Sequence, residues 1–321
     1  MYYIGIDIGG TNLKAGLVDE NYQITATRKQ PLQFESMEQM GETLAKMCLA
    51  LVEENSIPKD QVGSVGMGFP GPVDDRKGVV IKTVNIPIRF MPVAEIFHKY
   101  WDGVPVHLGN DADCAALGEF YHYENKDIES LILVTLGTGI GTGIILNGRI
   151  HTGINGCAGE GGHIVLVHDG EQCTCGRKGC WERYASANAL IRQTVAAMEK
   201  DKSSVMWEMT GGDVSKVNGS TPFEAMHRGD AAGQAVIEQY RRYLADGLAN
   251  YVNIFQPEVI ALGGGVSQAK EEDLLIPLQS MVLDQCFGRE ADRHTRIITA
   301  KLGNDAGIIG AALLGLQSQG R

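Results

Sequence analysis

The sequence is poor in proline and in basic residues, and it has no serine- or proline-rich tract. Its 321 residues contain only 10 prolines, and 28 lysines and arginines stand against 39 aspartates and glutamates, so the net charge is −11. Proteins that bind nucleic acid by neutralising phosphates are basic, so we expect no nucleic-acid partner. The hydrophobic share of 44% and the charged share of 21% are ordinary for a globular protein and exclude a disordered or fibrous chain.

The chain also lacks a long uninterrupted hydrophobic run. Its longest uncharged stretch, residues 131–148, contains five glycines and three threonines, which favours strand, loop and strand over a membrane-spanning helix. The N-terminal residues show no basic segment followed by an apolar stretch and a cleavage site. The seven cysteines are an odd number. We therefore expect a cytoplasmic protein with no membrane partner and no disulfide framework.

Glycine, in contrast, is abundant. The 41 glycines are about 13% of the chain, where about 7% is usual. No collagen period accompanies them, so the excess indicates loops in which the backbone approaches something closely. Each of three glycine loops follows an apolar strand, and these loops are residues 9–10, 137–143 and 263–265.

Alternating strand and helix patterns predict an α/β protein built from two related lobes. Ser36 and Gln39 form a capping-box pattern before the first helix. The chain is expected to cross from the first lobe to the second near the small-residue helix that follows Asn110-Asp111. Glycines in the last helix indicate close packing. The predicted strands are 2–8, 13–19, 22–28, 62–67, 104–108, 131–136 and 259–262, and the predicted helices begin near residues 37, 112, 236 and 306.

The loop that follows Asp7 has two interpretations. Gly9, Gly10 and Thr11 can present N–H groups and a hydroxyl to a phosphate, with the Asp7 carboxylate holding a metal ion. A tight hairpin whose glycines supply positive φ is the alternative. The chain has no Walker-A motif, and the glycines of the 137–143 loop do not have the spacing of a dinucleotide-binding fingerprint, since the third position falls on Thr142 or Ile144. The ordered set of three loops resembles the two phosphate loops and the adenosine loop of the sugar-kinase, actin and heat-shock ATPase superfamily.

Four possible metal ligands lie within 18 residues of one another: His163, Cys173, Cys175 and Cys180. This set suits tetrahedral Zn²⁺ in a closed, structural site, although a cluster of reduced buried thiols would have the same spacing. Gly176 and Gly179 would let the backbone fold around the ion. We interpret the other cysteines, which are Cys48, Cys114, Cys157 and Cys286, as small core residues.

Two glutamates flank the predicted metal site. Glu160 precedes His163, and Glu182 follows Cys180 by two residues. A metal ion could fix both carboxylates and the outward ring nitrogen of His163 around one polyol. Both glutamates could equally be surface carboxylates.

The segment from Glu160 to Glu182, together with Asp7 to Thr11 and Asn110-Asp111-Ala112, resembles the ROK family of repressors and sugar kinases over essentially the whole chain. The resemblance implies a two-lobed actin-like ATPase fold of duplicated ribonuclease H-like units, with a cleft between the lobes. Residues 1–115 and the helix 305–321 would form the small lobe, and residues 116–304 the large lobe with the zinc site. Residues 151–160 look most like the glucokinases of the family.

The resemblance also implies roles for individual residues. Asp111 would be the general base of an ATP-dependent sugar kinase. Its position before a helix could also reflect N-capping, and the helix dipole favours its ionised form. The resemblance further implies Mg²⁺ as cofactor and a homodimer. Sugar would contact Gly71, Asn85, Asn110, Asp111, Glu160, His163 and Glu182, and ATP would contact Asp7, Gly9, Gly10, Thr11, Gly137, Thr138, Gly139, Gly264 and Gly265.

The chain departs from the family pattern at two places. Thr142 stands where many relatives have glycine, and we expect it to alter the phosphate contacts. The stretch directly after Asn85 reads Ile-Pro-Ile-Arg-Phe, where many glucokinases have a tryptophan nearby. N-acetylmannosamine, N-acetylglucosamine, fructose and allose therefore stay open beside glucose. A repressor would carry a DNA-binding segment before the first glycine loop, and only six residues precede Asp7, so we expect an enzyme.

Overall fold

The computed structural model describes residues 1–83, 86–123 and 127–318. Its strands and helices follow the predicted order, with several short elements that the sequence patterns do not show. The strands are β1 (Tyr2–Ile8), β2 (Asn12–Val18), β3 (Ile24–Pro31), β4 (Val62–Phe69), β5 (Val73–Asp74), β6 (Val79–Lys82), β7 (Arg89–Met91), β8 (Val106–Asn110), β9 (Leu131–Leu136), β10 (Ile140–Leu146), β11 (Arg149–Ile150), β12 (Val259–Gly263) and β13 (Arg296–Thr299). The helices are α1 (Met37–Glu54), α2 (Val93–His98), α3 (Asp111–His122), α4 (Glu182–Ala185), α5 (Ala187–Lys200), α6 (Met206–Met209), α7 (Thr221–His227), α8 (Ala231–Phe255), α9 (Leu275–Gln285) and α10 (Ala306–Ser318).

The chain divides into two compact units. Unit 1 comprises residues 1–131, 143–159 and 302–321, and unit 2 comprises residues 132–142 and 160–301. Strand β10 runs across the boundary between these segments. The lobe limits implied by the family resemblance, 1–115 with 305–321 and 116–304, stay a prediction.

Unit 1 is built on a five-stranded sheet in the order β3-β2-β1-β4-β8. Strand β1 is antiparallel to β2 and parallel to β4, which is in turn parallel to β8. Loops after parallel strands meet at one edge of a sheet, so the turn after β1 and the start of α3 lie at the same edge. Asp7 pairs with Gly68 in the register, and Phe69 pairs with Asn110.

Helix α10 packs so closely against both the sheet and α3 of unit 1 that several glycines are required. A Cβ added at Gly66 of β4 would lie 1.7 Å from the carbonyl oxygen of Ala311, and one at Gly310 would lie 1.6 Å from that of Cys114. Much of the glycine excess therefore serves helix packing rather than ligand loops. The predicted close packing of the last helix is confirmed.

Capping fixes the start of α1. The Ser36 hydroxyl accepts a hydrogen bond from the backbone N–H of Gln39 at 3.1 Å, and the Gln39 side chain accepts one from the N–H of Glu35. In the usual capping box the Gln39 side chain would accept from the N–H of Ser36, the N-cap residue itself. Here it accepts from the N–H of the preceding residue, Glu35. A buried stripe that includes Met40, Leu44 and Leu51 faces the core.

The second sheet has the order β11-β10-β9-β12-β13, and β12 is parallel to β13. Behind it, α8 begins at its cap Asp230 and ends at Gln256, which has a left-handed conformation with φ 43°. Short strands β5, β6 and β7 form a third sheet. Among the described residues, no helix is both long and apolar enough to cross a membrane.

The prediction of a continuous glycine loop over 137–143 is wrong, because strand β10 begins at Ile140. The open loop contains only residues 137–139. Gly143 belongs to the strand, where an added Cβ would lie 2.5 Å from the carbonyl oxygen of Ala112. Glycine at that position permits close packing of α3.

Candidate functional site

The turn after β1 exposes the first predicted phosphate loop. Gly10 and Thr11 are exposed, and the N–H of Gly9 donates to the carbonyl of Asn12 at 3.0 Å. The φ angle of Gly9 lies outside the left-handed region, so the hairpin does not need glycine there for its backbone conformation. An alternative reason for glycine is the close approach of a ligand.

Asp7 lies at the end of β1 behind this turn. Burial raises the pKa of its carboxyl group, and the positive charge of Lys14, its antiparallel partner, offsets part of that rise. The Asp7 side chain also packs against α10, since a Cβ at Gly307 would be 3.4 Å from its carboxyl carbon. A half-buried carboxylate next to an exposed glycine turn suits a cation that accompanies phosphate.

The start of α3 brings three predicted sugar-site residues together. Asn110 caps the helix, because its side-chain oxygen accepts from the N–H groups of Ala112 at 2.8 Å and Asp113 at 3.3 Å. Its amide nitrogen lies 3.5 Å from the carbonyl oxygen of Gly71. Asp111 is the first helical residue and accepts from the N–H of Ala112 at 2.9 Å. Capping is therefore carried by Asn110, and the Asp111 carboxylate lies in the positive field of the helix start.

A concentration of negative charge surrounds Cys114. Burial and then the charges of Asp113, Asp111, Asp7 and Asp75 raise the pKa of this thiol well above its usual value. A Cβ added at Gly68, the register partner of Asp7, would lie 3.2 Å from Cys114 Sγ and 3.6 Å from the Cα of Asp111. The end of β1 and the start of α3 therefore lie close to one another.

A cavity of about 570 Å³ opens next to the first glycine loop. Residues from the segment after β3 contribute to its wall, and no sequence motif singled them out. The predicted sugar contact Asn85 lies outside the described residues, although Ile86 and Pro87 line the same cavity. The lining residues are Gly10, Leu32, Gln33, Phe34, Glu35, Gln39, Ile86 and Pro87.

In unit 2, the two remaining glycine loops lie at the ends of neighbouring strands, β9 and β12. Gly264 has φ +84°, and an added Cβ would lie 2.5 Å from the carbonyl oxygen of Leu136. In contrast, a Cβ at Gly137 or Gly265 would meet no atom of the described residues within 4 Å. The fold itself does not require glycine at those two positions, which leaves room for a ligand.

The four predicted metal ligands converge in unit 2. Their ligand atoms all lie within 4.8 Å of one another, with His163 Nδ1 3.7 Å from Cys173 Sγ and Cys175 Sγ 3.6 Å from Cys180 Sγ. Bonds of about 2.0–2.3 Å to a central zinc ion would separate tetrahedral ligands by roughly 3.5–3.8 Å. The distances and the donor set therefore fit a tetrahedral zinc site.

Local backbone geometry brings the cysteines to this position. Gly176 and Gly179 have φ angles of 93° and 77°, and a Cβ at Gly179 would lie 1.7 Å from the carbonyl oxygen of Val167. A β-bridge pairs Val165 with Cys180. Burial tends to raise the pKa of the Cys175 thiol, but hydrogen bonds from the Arg177 backbone and the neighbouring thiols lower it overall. Burial and the neighbouring thiols raise the pKa of Cys180 to about 12, so the two thiols of this pair differ in acidity.

The two flanking glutamates differ in their surroundings. Glu160 is exposed at the start of a 3-10 turn, Gly161–His163. Glu182 is half-buried at the start of α4, where its Oε2 accepts from the backbone N–H of Ile140 at 3.1 Å and its Oε1 lies 3.9 Å from Cys173 Sγ. Glu182 thus connects the metal cluster to the end of the second glycine loop, a link that the sequence did not predict.

Two sequence interpretations need correction. Cys157 is exposed rather than part of the core, whereas Cys48, Cys114 and Cys286 are buried as expected. Thr142 does not lie in a phosphate loop, because it is only 4% exposed within β10. Its side-chain oxygen accepts hydrogen bonds from the N–H of Gly161 at 2.9 Å and from the hydroxyl of Tyr251 at 3.2 Å.

Comparison with known proteins identifies the family. The family model described as "ROK family" matches residues 3–318. The chain belongs to the ROK family. Its mixed α/β architecture agrees with the fold expected from the resemblance, and a solved ROK family glucokinase of Streptomyces griseus, in complex with glucose and AMPPNP, has a TM-score of 0.78. That structure is 34% identical and covers 99% of this chain and 100% of its own.

Curated proteins named for two different sugar substrates are similar to this chain in sequence. The glucokinase of Streptomyces coelicolor is 34% identical over 312 residues, covering 96% of each chain. The N-acetyl-D-glucosamine kinase of Aliivibrio salmonicida is 31% identical over 333 residues, covering 99% of this chain and 100% of its own. Each of these two relatives aligns with nearly the whole of this chain.

Proposed function

We propose that this ROK protein is an ATP-dependent glucokinase that transfers the γ-phosphoryl group of ATP to the 6-hydroxyl of glucose. The observation that carries the proposal is the start of α3, where Asn110 caps the helix and Asp111 occupies its first turn. Similarity to glucokinases, one of them solved with glucose and an ATP analogue, supports the same substrates.

Asp111 is the proposed general base. Its carboxylate would accept the proton of the 6-hydroxyl as that oxygen attacks the γ-phosphorus, and the bond from the γ-phosphorus to the bridging oxygen of ADP would break. The field of the helix start favours the charged form that this step needs. Positioning of the two substrates supplies most of the remaining rate enhancement.

The other predicted residues have proposed binding roles. Asn110 and the backbone of Gly71 would bind sugar hydroxyls, together with Asn85, Glu160, His163 and Glu182. The glycine turns would contact the nucleotide through Gly9, Gly10, Thr11, Gly137, Thr138, Gly139, Gly264 and Gly265. Mg²⁺ would accompany ATP beside Asp7, where it would neutralise phosphate charge.

The proposed metal of the cysteine cluster is structural Zn²⁺. Four protein ligands leave no open position for catalysis, so the ion would hold the segment from His163 to Cys180 in shape. His163 Nδ1 faces the cluster, which would leave its other ring nitrogen for a sugar hydroxyl. We further propose a cytoplasmic homodimer, on the family resemblance.

A coupled ADP-release assay over glucose, N-acetylglucosamine, N-acetylmannosamine, fructose and allose tests the proposal. Glucose should give the highest kcat/KM. The glucokinase assignment fails if glucose gives no turnover while an N-acetylhexosamine does. Metal analysis of protein purified without chelator should find about one zinc per chain.

A further inference from the structure

Thr142 and Tyr251 form a buried hydroxyl pair behind the segment that carries Glu160 and His163. Thr142 is 4% exposed and Tyr251 is 5% exposed. The Tyr251 hydroxyl donates to Thr142 Oγ1 at 3.2 Å, and the same oxygen accepts from the backbone N–H of Gly161 at 2.9 Å. A chain of two hydrogen bonds therefore runs from α8 through β10 to the peptide that follows Glu160.

Gly161 is packed directly against this pair. A Cβ added there would lie 1.5 Å from the Tyr251 hydroxyl oxygen and 2.8 Å from Thr142 Oγ1. Such close approach allows only glycine, and it fixes where the peptide N–H points. Because Gly161 lies directly after Glu160 and two residues before His163, the hydroxyl pair sets the backbone from which both side chains project.

The Tyr251 ring is itself held firmly on α8. It stacks on Phe255 with ring centroids 5.9 Å apart and lies at a tilt to Trp181 with centroids 6.1 Å apart. The Trp181 indole N–H donates to the carbonyl of Tyr243 on the same helix at 2.8 Å. Since Trp181 separates Cys180 from Glu182, one helix supports both ends of the metal-binding segment.

The Tyr251 hydroxyl also lies in the electrostatic field of Glu160. Burial raises the pKa of the Tyr251 phenol, the hydrogen bond to Thr142 lowers it, and the negative charge of Glu160 raises it. The geometric link to Glu160 runs through the next residue, because a Cβ at Gly161 would lie 1.5 Å from the Tyr251 hydroxyl oxygen.

We propose that Thr142 and Tyr251 are positioning residues for the sugar site, which fix Glu160 and His163 for contact with sugar hydroxyls. The proposal rests on the proposed sugar-kinase function. Thr142 supplies the side-chain oxygen that accepts the Gly161 N–H, and a glycine at position 142 would offer no such acceptor. Neither residue touches the reacting atoms.

Steady-state kinetics of four variants test the proposal. Thr142→Val removes the acceptor and leaves a buried donor unpaired, so KM for glucose should rise roughly tenfold while kcat and KM for ATP stay within about twofold. Thr142→Ser keeps the hydroxyl and should retain a KM near the wild-type value. Tyr251→Phe removes only the hydrogen bond from the Tyr251 hydroxyl to Thr142 Oγ1 and should raise KM for glucose roughly threefold. Thr194→Val is the matched control, because Thr194 is buried and its hydroxyl donates within α5 to Leu190 at 2.8 Å.

The double variant Thr142→Val with Tyr251→Phe should resemble Thr142→Val alone, because the tyrosine acts through the threonine. Equal KM values for Thr142→Val and Thr194→Val, at comparable losses of Tm, would overturn the proposal. The proposal would also be overturned if Thr142→Ser raised KM for glucose as much as Thr142→Val does. Absence of sugar phosphorylation by the wild-type protein would instead refute the proposed function, and the two failures are thus distinguished. If Thr142→Val does not fold, the test uses Tyr251→Phe instead. A KM for glucose equal to that of Thr194→Val would then overturn the proposal.

Discussion

The start of α3 in unit 1 and the cysteine segment of unit 2 hold their polar groups by different means. At α3, regular secondary structure is sufficient: strand β8 ends, Asn110 caps the helix, and Asp111 is the first residue of the helix. Residues 160–182 contain little regular structure. There, glycines with positive φ and converging metal ligands replace it.

This difference indicates which perturbations should affect each region. Changes to single side chains at α3 should alter chemistry with little effect on shape, because the backbone is held by helix and sheet hydrogen bonds. Loss of a metal ligand should alter shape first and chemistry only as a consequence. The predictions below separate these two kinds of effect.

The largest effect is expected from Asp111→Asn. The substitution preserves the size of the side chain and leaves the Asn110 cap in place, so fold and glucose affinity should be retained. Loss of the proton acceptor should reduce kcat by roughly 10²–10⁴-fold. Turnover measured by ADP release, together with glucose affinity from calorimetry, gives both quantities. Near-wild-type turnover would remove Asp111 from the role of base.

Cys175→Ser should produce the opposite pattern. Cys175 is exposed, so the change removes a ligand without opening a core cavity. Zinc affinity should fall by more than the 10–100-fold typical of a lost outer-shell partner, and Tm should fall because metal binding contributes folding free energy. Metal analysis and thermal unfolding measure these effects.

Cys157→Ser is the matched control, because Cys157 is also exposed but is not one of the four clustered ligands. It should leave zinc content, Tm and turnover unchanged. If both serine variants retain one zinc per chain, the proposed ligand set is wrong.

Two alanine substitutions distinguish ligand contact from internal packing within one loop. Gly137→Ala should leave Tm unchanged, since its Cβ meets no described atom, but should raise KM for ATP roughly tenfold if phosphate approaches the backbone. Gly139→Ala should lower stability by roughly 1–3 kcal/mol, because its Cβ would lie 2.1 Å from Glu182 Oε2 and displace that carboxylate from the Ile140 N–H. Identical effects of the two substitutions on Tm would contradict this distinction.

The smallest effect concerns Asp7, which is half-buried at the end of β1. A carboxyl group whose pKa is raised in the folded state, here by burial, costs stability when it is ionised, and the cost disappears below the unfolded-state pKa of 3.8. Asp7→Asn should therefore raise Tm at pH 7 in the absence of nucleotide, and the gain should shrink as the pH falls toward 3.8. Asp74→Asn should lower Tm at pH 7, because hydrogen bonding to Lys77 lowers the pKa of Asp74 and the ionised carboxylate therefore stabilises the fold. Thermal unfolding across pH measures both differences.

The predictable features are those determined over short distances in the sequence. The spacing of His163 and the three cysteines predicted a cluster that the structure contains, and Ser36 caps the first helix as its pattern indicates. The burial of Thr142 could not be predicted, because its partner Tyr251 lies 109 residues away. The bond between Glu182 and Ile140 spans 42 residues and follows no motif.

The glycines also show that local sequence does not reveal contacts between distant residues. A glycine run predicts a loop, but Gly143 lies in a strand because α3 packs against its backbone. The exposure of Cys157 likewise depends on tertiary packing that its local sequence does not determine. Local patterns therefore predicted the candidate ligands, while the contacts that hold them required the structure.

The most direct test is the KM for glucose measured against zinc content. The protein would be treated with chelator in steps and then supplied with zinc again, with ADP release followed at each occupancy. We expect KM for glucose to rise as zinc is lost and to return on zinc addition, while KM for ATP changes little. An unchanged KM for glucose in protein with less than about one-tenth of a zinc per chain would contradict metal control of the sugar-binding segment.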